Sequence, residues 1–238
     1  MSNYKVNMVL KEQITDIFFD LDHTLWDFEK NSMLTFGKVF EEESLKIDLN
    51  SFVKAYQPIN KAYWKAYREN KIDQQFLRFQ RLKDTFAEID FEVQSEIIPN
   101  IANKYITYLS TFPHLIKGTL SLLKALELQY NLHIITNGFE QVQHHKLKNS
   151  GIAPFFDKVI TAEQVGFKKP HPQIFKYALE VTGASSHQAL MIGDSFEADI
   201  EGSLKMGFQA IHFNIHEEQI HSLCPIVTSL GEIQPLLI

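Results

Sequence analysis

The amino-acid sequence predicts an α/β protein in which one long helical insertion interrupts a parallel sheet. Three observations support this fold class. Short apolar runs alternate with amphipathic segments after Pro113, which is typical of βαβ units. Of the ten glycines, only Gly37 lies between Phe28 and Phe112, and apolar residues recur there at helical spacing. With 238 residues, the chain can also bury one sizeable core and a smaller second domain.

The first predicted strand covers Ile17 to Phe19, ahead of the helical region. Four more follow, at 132–136, 158–160, 189–193 and 210–213. These runs are short and apolar throughout, so we expect strands buried on both faces by helices, as in a parallel sheet. The helical region then forms an insertion after the first strand, suited to cover the carboxyl edge of the sheet. The predicted domains are an α/β core, 1–27 with 114–238, and a helical cap, 28–113.

Within the insertion, apolar stripes predict amphipathic helices. Two prolines, Pro58 and Pro99, are expected to break or kink two of these helices, because proline lacks an N–H and clashes with the preceding turn. We expect the spaced phenylalanines to pack in a core. These are Phe36, Phe40, Phe79 and Phe86.

Composition excludes several classes of partner. The net charge is −6 and no basic stripe is present, which argues against extended nucleic acid. The single cysteine, Cys224, excludes an internal disulfide framework and fits a reducing compartment. The opening MSNYKVNMVLKEQ lacks the layout of a signal peptide, and no run of 18 apolar residues occurs. We therefore expect a cytoplasmic protein with no membrane partner.

Polar residues follow four of the predicted strands or the loops beyond them. They form the clusters 20–24, 136–138, 168–170 and 193–195, with Asp199 further on. Ligands bind beyond the carboxyl ends of strands in open parallel sheets, so these clusters are expected to share one site. A single Asp after a strand is more often a helix N-cap or a turn residue, but four clusters require a common explanation.

The two acids of the first cluster suggest a cation site and a reaction. Side chains alternate along an extended segment, so Asp20 and Asp22 can point to the same side. Together with Asp194 they repel one another unless a cation binds or one acid is protonated. An oxygen-liganded ion, above all Mg²⁺, fits best. One carboxylate can then accept a phosphoryl group while the other transfers protons, with Thr136 and Lys169 binding phosphoryl oxygens.

These motifs resemble those of the haloacid dehalogenase (HAD) superfamily of phosphohydrolases. The four ordered motifs are FFDLDHTL (18–25), IITNG (134–138), KKPHPQIF (168–175) and MIGDSFEADI (191–200). The resemblance covers nearly the whole chain and implies a Rossmann-like parallel sheet core with an inserted all-helical cap domain. Because Asp22 is retained, phosphoryl transfer is expected rather than dehalogenation.

The resemblance also implies roles for individual residues. Asp20 would be the nucleophile and Asp22 the general acid/base, with Thr136 and Lys169 as the other catalytic residues. Substrate contacts are expected from Thr136, Asn137, Lys169 and Trp26. The expected Mg²⁺ site comprises Asp20, Asp22 through its backbone carbonyl, Asp194, and Asp199 in a supporting position.

Two further segments bear on the substrate. The strings ITNGF (135–139) and INKAYWKAYRENKID (59–73) resemble the YjjG/YfnB-type pyrimidine 5′-nucleotidases. Of the 29 aromatic residues, 15 lie between Phe28 and Phe112, and a base can stack on such rings. Trp26 and Trp64 are the candidates for this contact. A nucleoside monophosphate is therefore the expected substrate, and a monomer or homodimer the expected assembly.

Three alternatives stay open at this point. The enzyme could instead act on phosphoglycolate or on a sugar phosphate. It could also be a regulatory module that binds phosphate without catalysis, because a fold does not guarantee a function.

The segment HFNIHEEQIH (212–221) superficially suggests a zinc helix, but His216 and His221 are five residues apart rather than four. We expect a solvated surface segment there.

Overall fold

The structure is a computed structural model that describes residues 9–238. It contains two compact units, one formed by Met1–Phe28 with Pro113–Ile238 and the other by Glu29–Phe112. Whether the segments 1–27 with 114–238, and 28–113, behave as independent domains stays a prediction.

The first unit contains a six-stranded sheet in which every neighbouring pair of strands is parallel. The order is β3-β2-β1-β4-β5-β6. The predicted α/β fold class is therefore confirmed. The strands are β1 Asp16–Phe19, β2 Asn131–Thr136, β3 Lys158–Thr161, β4 Ala189–Gly193, β5 Gln209–Phe213 and β6 Ile226–Val227.

The central position of β1 determines where the site lies. All four residues of β1 and all five of β4 are buried, as expected for strands covered on both faces. Phe19 pairs with Ile134 of β2 on one side and with Ile192 of β4 on the other. The residues that follow β1, β2 and β4 therefore emerge side by side at the carboxyl edge of the sheet.

The second unit consists mainly of helices, and its core is aromatic. The Phe36 ring lies 4.4 Å from that of Tyr105 and 4.7 Å from that of Tyr56, measured between centroids. Phe36, Phe40 and Phe86 are buried as predicted, whereas Phe79 is only partly buried. The helices are α1 Phe28–Glu42, whose first residue belongs to the first unit, α2 Leu49–Arg68, α3 Gln74–Glu88 and α4 Ile98–Leu109.

Contrary to the prediction from the sequence, the two prolines of this unit do not break helices. Pro58 lies inside α2, which continues without a break for 20 residues. Pro99 lies in the first turn of α4, where a missing N–H costs no intrahelical bond. The side chain of Asp48 caps α2 by accepting a hydrogen bond from the Ser51 N–H, and Asp73 caps α3 in the same way.

The remaining helices belong to the first unit. They are α5 Thr119–Leu126, α6 Glu140–Asn149, α7 Ala162–Val165, α8 Pro172–Thr182, α9 Gly202–Leu204 and α10 Gln234–Leu237. A π-helical segment, Phe196–Glu201, leads into α9. Across residues 9–238, no helix combines the length and hydropathy needed to cross a membrane.

Candidate active site

Three acidic side chains meet at the carboxyl ends of β1 and β4. Asp20 directly follows β1, and its N–H donates to the Ile192 carbonyl of β4 at 2.9 Å. Asp194 directly follows β4, and Asp199 lies in the π-helical segment. One carboxylate oxygen of each lies within 4.8 Å of those of the other two, and all three residues are buried.

The position of Asp199 depends on a glycine and on the π-helical turn. Its Oδ2 accepts a hydrogen bond from the Ser195 N–H at 3.0 Å. A Cβ atom at Gly193 would lie 2.3 Å from the same oxygen, so no larger residue fits there without moving Asp199. π-Helical turns are frequent at functional sites.

Lys169 connects two of these acids. Its Nζ lies 2.6 Å from Asp20 Oδ1 and 2.6 Å from Asp199 Oδ1. The side chain of Asn137 holds the Lys169 backbone, since Oδ1 accepts from its N–H at 2.7 Å and Nδ2 donates to its carbonyl at 2.9 Å. The Asn137 amide, which was expected to contact the substrate, therefore contacts the Lys169 backbone, and the Lys169–Pro170 peptide bond that follows is cis.

The electrostatics of the cluster disfavour the ionisation of all three carboxylates together. Burial raises the pKa of Asp20 well above its ordinary value, and the charges of Asp199 and Asp194 raise it further. Burial also raises the pKa of Asp199. Burial lowers the pKa of Lys169, but its pairs with Asp199 and Asp20 outweigh this and raise it, so Lys169 stays charged. One lysine cannot neutralise three buried carboxylates.

This charge balance fits a hard divalent cation. Such ions prefer carboxylate oxygens, and Asp20, Asp194 and Asp199 supply three at the right separation. A cation there would also offset the repulsion that raises the pKa values of Asp20 and Asp199. The carboxylate of Asp22 does not belong to this group.

Asp194 has neighbours that its sequence context did not reveal. Thr24 Oγ1 donates to Asp194 Oδ1 at 3.2 Å, and His216 Nε2 lies 3.1 Å from Oδ2. The backbone carbonyl of Asp194 contacts His212 Nε2 at 3.1 Å. Burial raises the pKa of Asp194, but the hydrogen bond from His216 and the charges of His23 and His216 lower it below its ordinary value. The expectation of a solvated segment is therefore wrong for the buried residues 212–214, whereas His216 is exposed and still contacts Asp194.

Thr136 ends β2 with its hydroxyl group already oriented. Oγ1 accepts hydrogen bonds from the Gly138 N–H at 3.1 Å and from Gln143 Nε2 at 2.8 Å. A hydroxyl group has two lone pairs and one proton, so these contacts leave the proton as the group that can be donated. Thr136 can thus donate to a bound oxyanion.

Asp22 faces helix α6 rather than the acid cluster. Lys146 Nζ lies 2.6 Å from its Oδ1, and Gln143 Nε2 donates to its Oδ2 at 2.8 Å. Burial lowers the pKa of Lys146, and the charge of Asp22 offsets part of this shift. The two acids of the first motif, Asp20 and Asp22, therefore each pair with a different lysine.

Trp26 is fully buried beside this group. Lys146 Nζ lies 4.4 Å from the centroid of the Trp26 ring, so that ring face is occupied by an ammonium group. A substrate contact by Trp26, as expected from the sequence, stays a prediction and would require that face or the ring edge. Trp64 is partly buried in the helical unit.

The family described as haloacid dehalogenase-like hydrolase matches residues 17–213. This chain belongs to it. The pyrimidine 5′-nucleotidases PynA of Streptococcus pneumoniae and YjjG of Escherichia coli are each 32% identical over 93% of this chain, covering 92% and 96% of their own. The expected HAD-type phosphatase is thereby confirmed at the level of the family.

Two further relatives bear on the site and on the substrate. The HAD-hydrolase YfnB of Bacillus subtilis, solved bound to magnesium, has a TM-score of 0.84 and 29% identity, covering 94% of this chain and 98% of its own. A glyceraldehyde 3-phosphate phosphatase of Methanocaldococcus jannaschii is 32% identical over 82% of each chain. The resemblance to the YjjG/YfnB type is confirmed, and relatives with a different substrate match as well.

Sequence reasoning missed Gln143 and Lys146. Both lie on α6 at a spacing of three residues, which places them on one helical face. The buried face of α6 comprises Val142, Gln143, Lys146 and Leu147, so the available signal in the sequence was a pair of polar residues on the apolar stripe of a helix. The partner of that face, Asp22, is more than 100 residues away in the chain.

Proposed function

We propose that the protein is a Mg²⁺-dependent phosphatase that hydrolyses small phosphate monoesters through an aspartyl-phosphate, with a nucleoside 5′-monophosphate as its substrate. One observation carries the proposal. The Asp20 carboxylate pairs with the Lys169 ammonium at the edge of a buried acid cluster, which is an arrangement suited to an attacking carboxylate beside a phosphoryl group.

In the first step, an Asp20 carboxylate oxygen forms a bond to phosphorus as the bond to the leaving oxygen breaks. Asp22 donates a proton to the leaving alkoxide. Thr136 and Lys169 donate to the phosphoryl oxygens, where charge shifts during transfer. Asn137 acts through Lys169, because both ends of its amide bind the Lys169 backbone.

In the second step, water attacks phosphorus and Asp22 takes its proton. The bond between phosphorus and the Asp20 oxygen breaks, which releases inorganic phosphate and restores the carboxylate. Asp20, Asp194 and Asp199 would hold Mg²⁺, with the backbone carbonyl of Asp22 as a further ligand. When bound, the ion supplies positive charge that lets a carboxylate approach a phosphate group.

Three similarities support the finer parts of the proposal. PynA and YjjG support the nucleotide substrate, and the magnesium in YfnB supports the cofactor. The YfnB structure is described as revealing interdomain movement. We therefore assign residues 28–113 the role of a cap domain whose opening and closing accompany turnover.

The mechanism is tested with Asp20→Asn, which keeps the shape of the side chain and removes the nucleophile. We expect hydrolysis of p-nitrophenyl phosphate in Mg²⁺ to fall by about a thousandfold or more, with an unchanged circular dichroism spectrum. Asp157→Asn, at an exposed aspartate of the same unit, is the matched control. Substantial activity in Asp20→Asn would refute the covalent mechanism.

The substrate is tested with a panel of metabolite phosphates on the purified wild type. We expect uridine or cytidine 5′-monophosphate to have the highest kcat/KM. The relative from Methanocaldococcus jannaschii favours glyceraldehyde 3-phosphate as the competing substrate. If that ester or another sugar phosphate is turned over faster than every nucleotide, the nucleotidase assignment fails and the phosphatase assignment stands. If no ester releases phosphate, a binding function is favoured.

A further inference from the structure

We infer that Gln143 and Lys146 of helix α6 are positioning residues that fix the carboxylate of Asp22 for proton transfer. The inference rests on the proposed function of Asp22 as general acid/base. It extends that function to a helix outside the four sequence motifs.

The contacts account for both oxygens of the carboxylate. Lys146 Nζ lies 2.6 Å from Oδ1, and Gln143 Nε2 lies 2.8 Å from Oδ2. With one donor on each oxygen, rotation of the carboxylate breaks at least one hydrogen bond. A general acid must present its oxygen within hydrogen-bond reach of the leaving group, so a fixed rotation favours the reaction.

The two donors are themselves fixed. Gln143 is 0% exposed and Lys146 3% exposed, and both lie on the same face of α6. Gln143 Nε2 also lies 2.8 Å from Thr136 Oγ1, so one amide nitrogen contacts both Asp22 and Thr136. A Cβ atom at Gly138 would lie 1.7 Å from that nitrogen. The glycine of the second motif therefore leaves the space that Gln143 occupies.

Aromatic rings complete the setting of Lys146. Its Nζ lies 4.4 Å from the Trp26 ring centroid and 5.7 Å from that of Phe28. These contacts limit the positions of the ammonium group. Its attraction to the aromatic rings also offsets part of the free energy lost when the buried group gives up its hydration.

Lys146→Met affects stability as well as positioning. Removing one partner of a buried ion pair usually destabilises a protein, because the other charge is left unpaired. The side chain of Asp22 is 22% exposed, so water can hydrate it and the loss should be smaller than for a fully buried carboxylate. Urea unfolding of Lys146→Met measures that loss separately from the change in rate.

The readout is the dependence of rate on the leaving group. An alkoxide needs a proton from Asp22 as it leaves, whereas p-nitrophenolate is stable without one. Loss of correct positioning should therefore slow alkyl esters more than the aryl ester. A general disturbance of the site would slow both equally.

The experiment compares kcat/KM of wild type and Lys146→Met for p-nitrophenyl phosphate and for the alkyl phosphate of the metabolite panel that the wild type turns over fastest. We expect a loss of about a hundredfold for the alkyl ester and of less than about tenfold for the aryl ester. Gln143→Leu should shift the ratio in the same direction, even if Lys146→Met fails to fold. Lys148→Met, at an exposed lysine of the same helix, should leave both values unchanged.

A double-mutant cycle shows whether the effect passes through Asp22. In an Asp22→Asn background, Lys146→Met should have almost no further effect on the alkyl ester. Equal losses for both esters, no loss for either, or full additivity with Asp22→Asn would overturn the inference. A wild type that hydrolyses neither ester would instead refute the proposed function, and one that hydrolyses only the aryl ester would refute both.

Discussion

Asp20 and Asp22 are separated by a single residue, yet their proposed roles differ because their neighbours differ. Asp20 lies against Lys169 and two further acids, whereas Asp22 lies against Lys146 and Gln143. Different environments allow one carboxylate to attack and the other to transfer protons. The different roles proposed for this pair thus depend on two lysines, one from the loop before α8 and one from helix α6.

The Asn137 side chain offers a test of how Lys169 is placed. Asn137→Ala removes both hydrogen bonds to the Lys169 backbone. We expect kcat for p-nitrophenyl phosphate to fall by about tenfold to a hundredfold, because a group that orients a ligand-binding residue typically has effects of this size.

A matched variant separates positioning from direct contact. Asn137→Asp keeps an acceptor for the Lys169 N–H but loses the donor for its carbonyl, so its activity should lie between those of wild type and Asn137→Ala. The two variants would have equal and near-normal activity if Asn137 did not place Lys169.

At the scale of elements, the sequence predicts those strands and helices whose residues form a recognisable hydrophobic pattern. Strands β1 and β4 were recognised from the apolar runs at 17–19 and 189–193, and the predicted bounds of β4 match those observed. The two-residue strand β6 was missed, since so short a segment has no pattern of its own. The continuation of α2 through Pro58 was also missed, because tertiary packing can outweigh the cost of one absent hydrogen bond.

The same distinction applies to the candidate site. Asp20, Asp194 and Lys169 could be proposed from sequence, because their motifs follow strand ends that meet at one edge. The contact between His216 and Asp194 could not, because it depends on the path of the chain after β5. Gln143 and Lys146 were missed for the same reason, since only the packing of α6 brings them to Asp22.

The aromatic core of the helical unit permits a prediction about stability. Phe36 is fully buried, and its ring contacts those of Phe52, Tyr56 and Tyr105. Phe36→Ala should lower the free energy of unfolding by about 3–5 kcal/mol, through lost burial and the cavity left behind. Urea unfolding followed by circular dichroism measures this loss.

The matched control is Phe76→Ala, which changes the same residue type in the same unit. Phe76 is 48% exposed, so its replacement should change the free energy of unfolding by no more than about 0.5 kcal/mol. Similar losses for both variants would show that the described packing does not determine the stability of this unit.

At the scale of the whole molecule, the net charge is a modest −6. Ion binding depends instead on a few buried carboxylates that lie close together. The cluster of Asp20, Asp194 and Asp199 has one lysine between two of its members. Folding therefore brings together carboxylates that repel one another. An ion that binds this arrangement, and not the unfolded chain, must stabilise the folded state by linkage.

Addition of Mg²⁺ to the metal-free protein should consequently raise its Tm. At a free concentration 100 times Kd, binding contributes about 2.7 kcal/mol, which corresponds to roughly 5–10 °C for a chain of this size. Differential scanning calorimetry with EDTA and then with Mg²⁺ measures the shift, with Na⁺ at equal ionic strength as the control. Asp194→Asn removes one ligand charge and should abolish most of the shift while the protein stays folded. An equal shift in wild type and Asp194→Asn would place the ion elsewhere and remove the acid cluster from the proposed metal site.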